Sequence, residues 1–180
     1  MTEEANNIVA NLEGLADRRS IVIYNEEWHK GVIGIVASRL TEVYYRPAVV
    51  LTRTDDMATG SARSVSGFDV YRAIEHCRDL LENFGGHTYA AGLSMKVENV
   101  EEFTRRFEEY VSQHILPEQT SAVIDIDAEI DFRDISSKFF NDLKRFNPFG
   151  PDNMKPIFCT HHVYDYGTSK VVGRDQEHIN

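Results

Sequence analysis

The run Ala48-Val49-Val50-Leu51 constrains the fold more than any other stretch of the chain. It is apolar at every position, too short for a helix, and lacks the alternation of a strand with one face in water. It therefore reads as a strand covered on both faces. A buried strand needs a layer on each side, and the flanking patterns supply candidates. Upstream, Ile21-Val22-Ile23-Tyr24 is a second β-rich run. Val32, Ile35, Val36, Leu40 and Val43 follow at helical period until Pro47 stops them. Ile8, Val9, Leu12 and Leu15 place an earlier helix over 4–18, ending near Arg18-Arg19. Downstream, Asp55-Asp56 and Gly60 mark a turn, and Ser61 to Val65 return as a strand. Asp69 caps a helix carrying Tyr71, Ile74, Leu80 and Leu81, which Gly85-Gly86 end. Ala90 to Val97 reads as another strand, and Val100, Phe103, Phe107 and Val111 as an amphipathic helix finishing before Pro117. Strands alternating with helices give an α/β fold, a sheet with flanking helices.

Beyond Pro117 the texture changes. Val123 to Ile130 alternates like a half-buried strand, a helix spans about Ser136 to Phe146, and Asn147-Pro148-Phe149-Gly150-Pro151 is turn-rich. Ile157-Phe158 and Val163-Tyr164 read as strands. A boundary is expected near 115–120, with an incomplete second unit after it. There is no internal repeat and no low-complexity stretch.

With 42% hydrophobic and 27% charged residues, the 180-residue composition is that of a globular protein, which excludes disorder and a collagen-like fibre. No apolar run approaches the roughly 20 residues needed to span a bilayer. Met1-Thr2-Glu3-Glu4 has neither the basic region nor the apolar core of a signal peptide, so the expectation is a soluble, cytoplasmic chain without a membrane partner. Cys77 and Cys159 are far apart and outside any Cys-x-x-Cys spacing, which argues for reduced thiols and against a cysteine zinc site. The net charge of −10 speaks against a polyanionic partner until it is located. Residues 97–142 carry 4 Lys+Arg against 12 Asp+Glu, whereas residues 1–96 carry 10 against 13. The acidity thus belongs mainly to one middle segment.

Three segments can carry chemistry. In Gly85-Gly86-His87-Thr88-Tyr89-Ala90-Ala91-Gly92 the paired glycines permit close approach of an anion to backbone N–H groups, and the imidazole can donate a hydrogen bond. The same residues also read as a helix-ending glycine pair before a structural histidine. In Thr59-Gly60-Ser61-Ala62-Arg63-Ser64, a strand puts Ser61 and Arg63 on one face as phosphate donors; the alternative is a solvated edge strand. Gly31 and Gly34, in Trp28-His29-Lys30-Gly31-Val32-Ile33-Gly34, stand where a helix N-terminus would face an anion, although Gly34 also reads as a helix-packing glycine and His29 as an exposed loop residue.

Taken together, Gly31 to Leu40, Arg46-Pro47-Ala48-Val49-Val50-Leu51, Gly60-Ser61-Ala62-Arg63-Ser64 and Gly85-Gly86-His87-x-x-Ala90-Ala91-Gly92 resemble, in order and spacing, the DHHA1 domain of RecJ-like exonucleases, members of the DHH phosphoesterase family. Asn147-Pro148-Phe149-Gly150-Pro151-x-Asn153-x-x-Pro156-Ile157-Phe158 is similar to the entry into the OB domain of that family. The resemblance implies a DHHA1-type mixed sheet with flanking helices over 20–115, an incomplete OB-like β region over 116–180, and a connector helix over 1–19 leading from a DHH domain. It implies the substrate-binding half of a 5′→3′ single-stranded-DNA exonuclease serving repair and recombination, with single-stranded DNA and its own DHH domain as partners. His87 would be catalytic, contacting the scissile phosphate, while Ser61, Arg63, Ser64, Gly85 and Gly86 would hold DNA phosphate. The family's two Mn²⁺ or Mg²⁺ ions are held by the DHH domain, and no Asp-His-His triplet occurs in this chain, so no metal site is expected in it and it should be inactive alone. Tyr164 and Tyr166, with Lys170 and Arg174 nearby, fit a base-stacking surface, though the preferred reading of the two tyrosines is barrel core. Two alternatives stay open: an oligoribonuclease or small-nucleotide phosphodiesterase, and a non-catalytic nucleic-acid-binding module such as a synthetase appendage.

Overall fold

The computed structural model describes residues 1–12, 14–173 and 178–179, the last two by backbone alone. The chain divides into two compact units, Met1–Ala122 and Val123–Asn180.

The first unit is built on a five-stranded mixed sheet in the order β1-β2-β3-β5-β4. Strand β1 (Ile21–Tyr24) runs parallel to β2 (Ala48–Thr54), and α2 (Ile33–Tyr44) makes the crossover between them. A tight turn at Asp55-Asp56 sends β3 (Met57–Arg63) back antiparallel to β2. Strand β5 (Ala90–Lys96) pairs antiparallel with both β3 and the edge strand β4 (Leu81–His87). Helices α1 (Thr2–Ala10) and α2 cover one face, where Ile21, Ile23, Ala48 and Val50 meet Val9, Ile33, Val36 and Leu40. Helices α3 (Val70–His76) and α4 (Val100–His114) cover the other, packing Ile74, Phe103, Phe107 and Val111 on Val49, Leu51, Ala62, Leu93 and Met95. Ala48 to Leu51 are wholly buried, as the apolar run requires.

Several expectations change. Helix α1 stops at Ala10, with Asn11 as its C-cap, and residues 14–17 form turns in which Gly14 adopts a left-handed φ of +67°, so the helix does not continue to Arg18. Gly60 does not mark the turn; it lies inside β3, where an added Cβ would come within 2.5 Å of a Leu51 methyl. Helix α3 begins at Asp69, whose carboxylate accepts from the Arg72 N–H, but it ends at His76. Leu80 then sits in a 3₁₀ turn and Leu81 opens β4. Gly85-Gly86 therefore end no helix; they are strand residues. On α2 the buried stripe is Ile33, Val36, Ala37 and Leu40, and Ile35 and Val43 face outward, 61% and 65% exposed.

The second unit has less regular structure. A short parallel pair joins β6 (Ala128–Glu129) to β7 (Phe158–Cys159), and β8 (Val171–Val172) pairs antiparallel with β9 (His178–Ile179). Helix α5 (Ser137–Lys144) is capped by the Ser136 hydroxyl, which accepts from the Phe139 N–H. The Asn153 amide donates to the carbonyls of Phe146 and Pro148 and pins the turn after α5. Val123 to Ile130 is not a half-buried strand: only Ala128–Glu129 pairs, and Val123, Ile124 and Ile126 are exposed. Val163-Tyr164 forms no strand. Tyr164 and Tyr166 are 72% and 90% exposed, so neither is core, since no described element of this unit covers them. Arg174 lies outside the described residues.

Candidate functional site

The site is assembled by strand register. On the sheet face shared with α1 and α2, three cross-strand rows run from β3 through β5 to β4: Arg63–Ala90–His87, Ser61–Gly92–Gly85 and Thr59–Ser94–Asn83. Two-residue periodicity puts these rows on one face, spaced about 6.8 Å apart along the strands, while Ala62, Ala91 and Leu93 turn to the opposite core. Helix α2 lies over β2 and β3 on this face, and α1 lies beside β1. Among the described residues no element of the first unit covers the β5–β4 half, and His87, Gly85, Gly92 and Asn83 are exposed.

Sequence-distant segments meet here. Gly34, in the first turn of α2, stands over Ser61 and Arg63; a Cβ there would fall 3.1 Å from Arg63 Nη2 and 3.2 Å from Ser61 Oγ. Its close packing is thus against the polar pair, and not only against apolar core. Arg63 Nη1 donates to Ser61 Oγ at 2.9 Å and to the Ala62 carbonyl at 2.8 Å. Among the described residues no carboxylate pairs with this half-buried guanidinium. A cation held in place yet lacking a counter-ion can take an anion, and its planar fork suits a phosphate. His29 stays an exposed loop residue, its Nδ1 accepting from the Gly31 N–H.

His87 ends β4, two strands and about 10 Å across the sheet from Arg63. Its Nδ1 accepts from the Tyr89 N–H at 3.3 Å, which leaves Nε2 as the protonated nitrogen of the neutral ring. The Thr88-Tyr89 hairpin tip is anchored in turn: the Tyr89 carbonyl accepts from the Ser64 N–H and the Thr88 carbonyl from the Val70 N–H. Gly86 lies beneath, with a φ of +153°, and a Cβ there would strike the Ala90 carbonyl oxygen at 2.3 Å. The Ser64 hydroxyl donates to the Phe68 carbonyl, so it holds the 64–68 loop and stands apart from the Arg63 row.

The rows continue into a shallow groove of about 470 Å³ whose lining includes Lys30, Asp55, Thr59, Asn83, Gly85, Gly92 and Ser94. Sequence reasoning passed over Lys30, Thr59, Asn83 and Ser94 as site residues; the signal for Thr59 was its two-residue spacing from Ser61 and Arg63. Among the described residues no three His, Cys, Asp or Glu side chains converge as metal ligands, so these residues do not fit a two-metal centre.

Residues 17–113 match the DHHA1 domain model. The chain belongs to the DHHA1 domain family. Residues 126–180 match the RecJ OB domain model. The chain is 38% identical over 99% of its length to the single-stranded-DNA-specific exonuclease RecJ of Bacillus subtilis, of which it covers 23%. It is 33% identical over 77% of its length to the Salmonella typhimurium RecJ, covering 25% of that protein. It thus spans about a quarter of the curated relatives it matches. Among solved structures, RecJ of Thermus thermophilus in complex with Mn²⁺ aligns with a TM-score of 0.78 and 26% identity, over 96% of this chain and 25% of the other. The Mg²⁺ complex aligns at 0.75 with the same identity, over 87% and 24%. Together these matches give a DHHA1 domain followed by an OB domain, the order and family that the motifs indicate.

Proposed function

We propose that this chain is the substrate-binding part of a 5′→3′ single-stranded-DNA exonuclease for repair and recombination, working in the cytoplasm. Its metal-holding DHH domain is supplied elsewhere in the whole protein. Residues 1–19 are the connector to that domain, 20–115 the substrate-binding domain, and 116–180 belong to the OB domain. The supporting observation is the Arg63–Ala90–His87 row, which runs from a half-buried guanidinium with no carboxylate partner among the described residues to an oriented imidazole on the open half of the sheet face. In this reading Ser61 and Arg63 hold the terminal phosphate, and the Nε2–H of His87 donates to an oxygen of the scissile phosphate, where negative charge develops. Gly86 keeps β4 close to β5 so that His87 is held at that height, and Gly85 leaves the surface between the two phosphates open. Ser64 supports the loop behind them. The divalent ions, Mn²⁺ or Mg²⁺ as named for the Thermus structures, would be held by the DHH domain and would there supply activation of the attacking water.

The RecJ OB match over residues 126–180 favours a DNA exonuclease over a small-nucleotide phosphodiesterase. The test is binding of a short 5′-phosphorylated oligothymidylate to the chain by fluorescence anisotropy. Arg63→Ala is expected to weaken it at least tenfold, and removal of the terminal phosphate to erase the difference between variant and parent. Equal binding by both proteins rejects the assignment. With Mn²⁺ added, the chain by itself is expected not to degrade the strand; degradation would show that it holds a complete active centre.

A further inference from the structure

The groove beside the Arg63–His87 row has features that phosphate binding leaves unexplained. Besides Asp55, five polar side chains line it, Lys30 from the loop before α2, Thr54 from β2, Thr59 from β3, Ser94 from β5 and Asn83 from β4. Among the described residues none of the five has a side-chain hydrogen bond or ion pair within the chain. They therefore present donors and acceptors of mixed kind, with one ammonium, three hydroxyls and one amide, and Asp55 at the far end adds a carboxylate. A phosphate subsite would concentrate donors and exclude that carboxylate. The edge of a nucleobase, which carries donors and acceptors side by side, matches the mixture.

The floor agrees. Gly85 and Gly92 are directly opposed across β4 and β5. A Cβ at Gly85 would meet nothing within 4 Å, and one at Gly92 only the Gly60 carbonyl oxygen at 3.9 Å. Gly60 and Gly86 are glycines because the chain itself fills the space beside them, whereas among the described residues a Cβ would meet no neighbour at Gly85 and only an ordinary contact at Gly92. Glycine inside a strand weakens the sheet and marks a place where something else comes close to the backbone. Two such residues, side by side between an anion-binding row and a polar row, leave a flat floor on which a planar ring can lie.

We propose that this groove seats the nucleoside of the terminal nucleotide, its base lying on the Gly85–Gly92 floor with its edge toward Lys30, Thr59, Ser94 and Asn83. The inference rests on the phosphate role of Ser61 and Arg63 and adds the site's preference for a phosphate that carries a base. Asp55 closes the far end of the groove.

The test compares two short 5′-phosphorylated oligothymidylates, identical except that one lacks the base of its terminal nucleotide, binding to the 180-residue chain by fluorescence anisotropy. The parent is expected to bind the base-bearing strand about tenfold more tightly. Gly92→Val fills the floor and Asn83→Ala removes a hydrogen-bonding edge. Each is expected to bring the ratio toward one with abasic affinity unchanged, and thermal melting shows whether Gly92→Val folds. Arg63→Ala is expected to weaken both strands alike. Equal affinity of the parent for the two strands, or a tenfold ratio surviving in Asn83→Ala and in folded Gly92→Val, overturns the nucleoside site and leaves the phosphate reading standing. Unchanged affinity of Arg63→Ala for both strands, or no binding of either by the parent, overturns the phosphate reading and the nucleoside site with it.

Discussion

Gly85 and Gly86 are adjacent in β4, yet replacing each by alanine should have opposite consequences. At Gly86 a Cβ would lie 2.3 Å from the Ala90 carbonyl oxygen, 2.5 Å from Ala91 Cα and 2.8 Å from Ala91 Cβ. Two of these atoms are backbone, in a hairpin whose tip is tied to Ser64 and Val70, so they have little room to move. The φ of +153° adds backbone strain of about 1–3 kcal/mol for any residue with a Cβ. Overpacking adds about 1–3 kcal/mol. Gly86→Ala should therefore cost about 4 kcal/mol, which for a unit of this size lowers the melting temperature by roughly 15 °C. Gly85→Ala meets nothing within 4 Å and restricts the unfolded chain, so it should stabilise by about 0.5–1 kcal/mol. Thermal unfolding followed by far-ultraviolet circular dichroism reads both. Because β4 is an edge strand, the chain can also relieve the clash by detaching the hairpin, so amide exchange of β4 and β5 should be read alongside. Gly86→Ala with parent-like melting and parent-like protection in β4 would refute the reasoning, and so would a Gly85→Ala variant that falls as far.

Two further outcomes concern the packing that supports the site. The Glu108 carboxylate on α4 accepts from the Arg19 N–H, the Ser20 N–H and hydroxyl, and the Ser112 hydroxyl, so Glu108→Ala leaves the buried Ser20 without its partner. A loss of about 2–4 kcal/mol in chemical denaturation is expected, with the denaturant slope unchanged; a loss under about 0.5 kcal/mol would show that water replaces the carboxylate. Burial pushes the Cys77 thiol up to about 11, so it stays protonated at pH 8 and Cys159 alone should react with a thiol reagent in the folded chain. Rapid modification of Cys77 without unfolding would contradict its burial.

The layered α/β fold was legible because its signals are local. The unbroken apolar run at Ala48–Leu51 demanded cover on both faces, and the spacing of Phe103, Phe107 and Val111 named the buried side of α4. Local rules failed where a residue serves two kinds of structure. Glycine ends helices and also lets strands approach closely, and nothing within a few residues of Gly85-Gly86 says which applies. The alternation in Val123–Ile130 met the strand criterion, but a strand needs a partner along its length, and in the second unit only Ala128–Glu129 finds one.

The candidate site divides in the same way. By itself the sequence determined which residue types were available: Ser61 and Arg63 on one strand face, Gly86 beside His87, and no Asp-His-His triplet. Only the tertiary structure decided that β5 would lie between β3 and β4, and hence that Arg63 and His87 would share a row through Ala90. The same pairing brought Asn83 and Ser94 level with Thr59 and left Gly85 facing Gly92. Side-chain direction within a strand follows from the two-residue period of the chain, whereas its neighbours across the sheet follow from hydrogen-bonded register between strands distant in sequence.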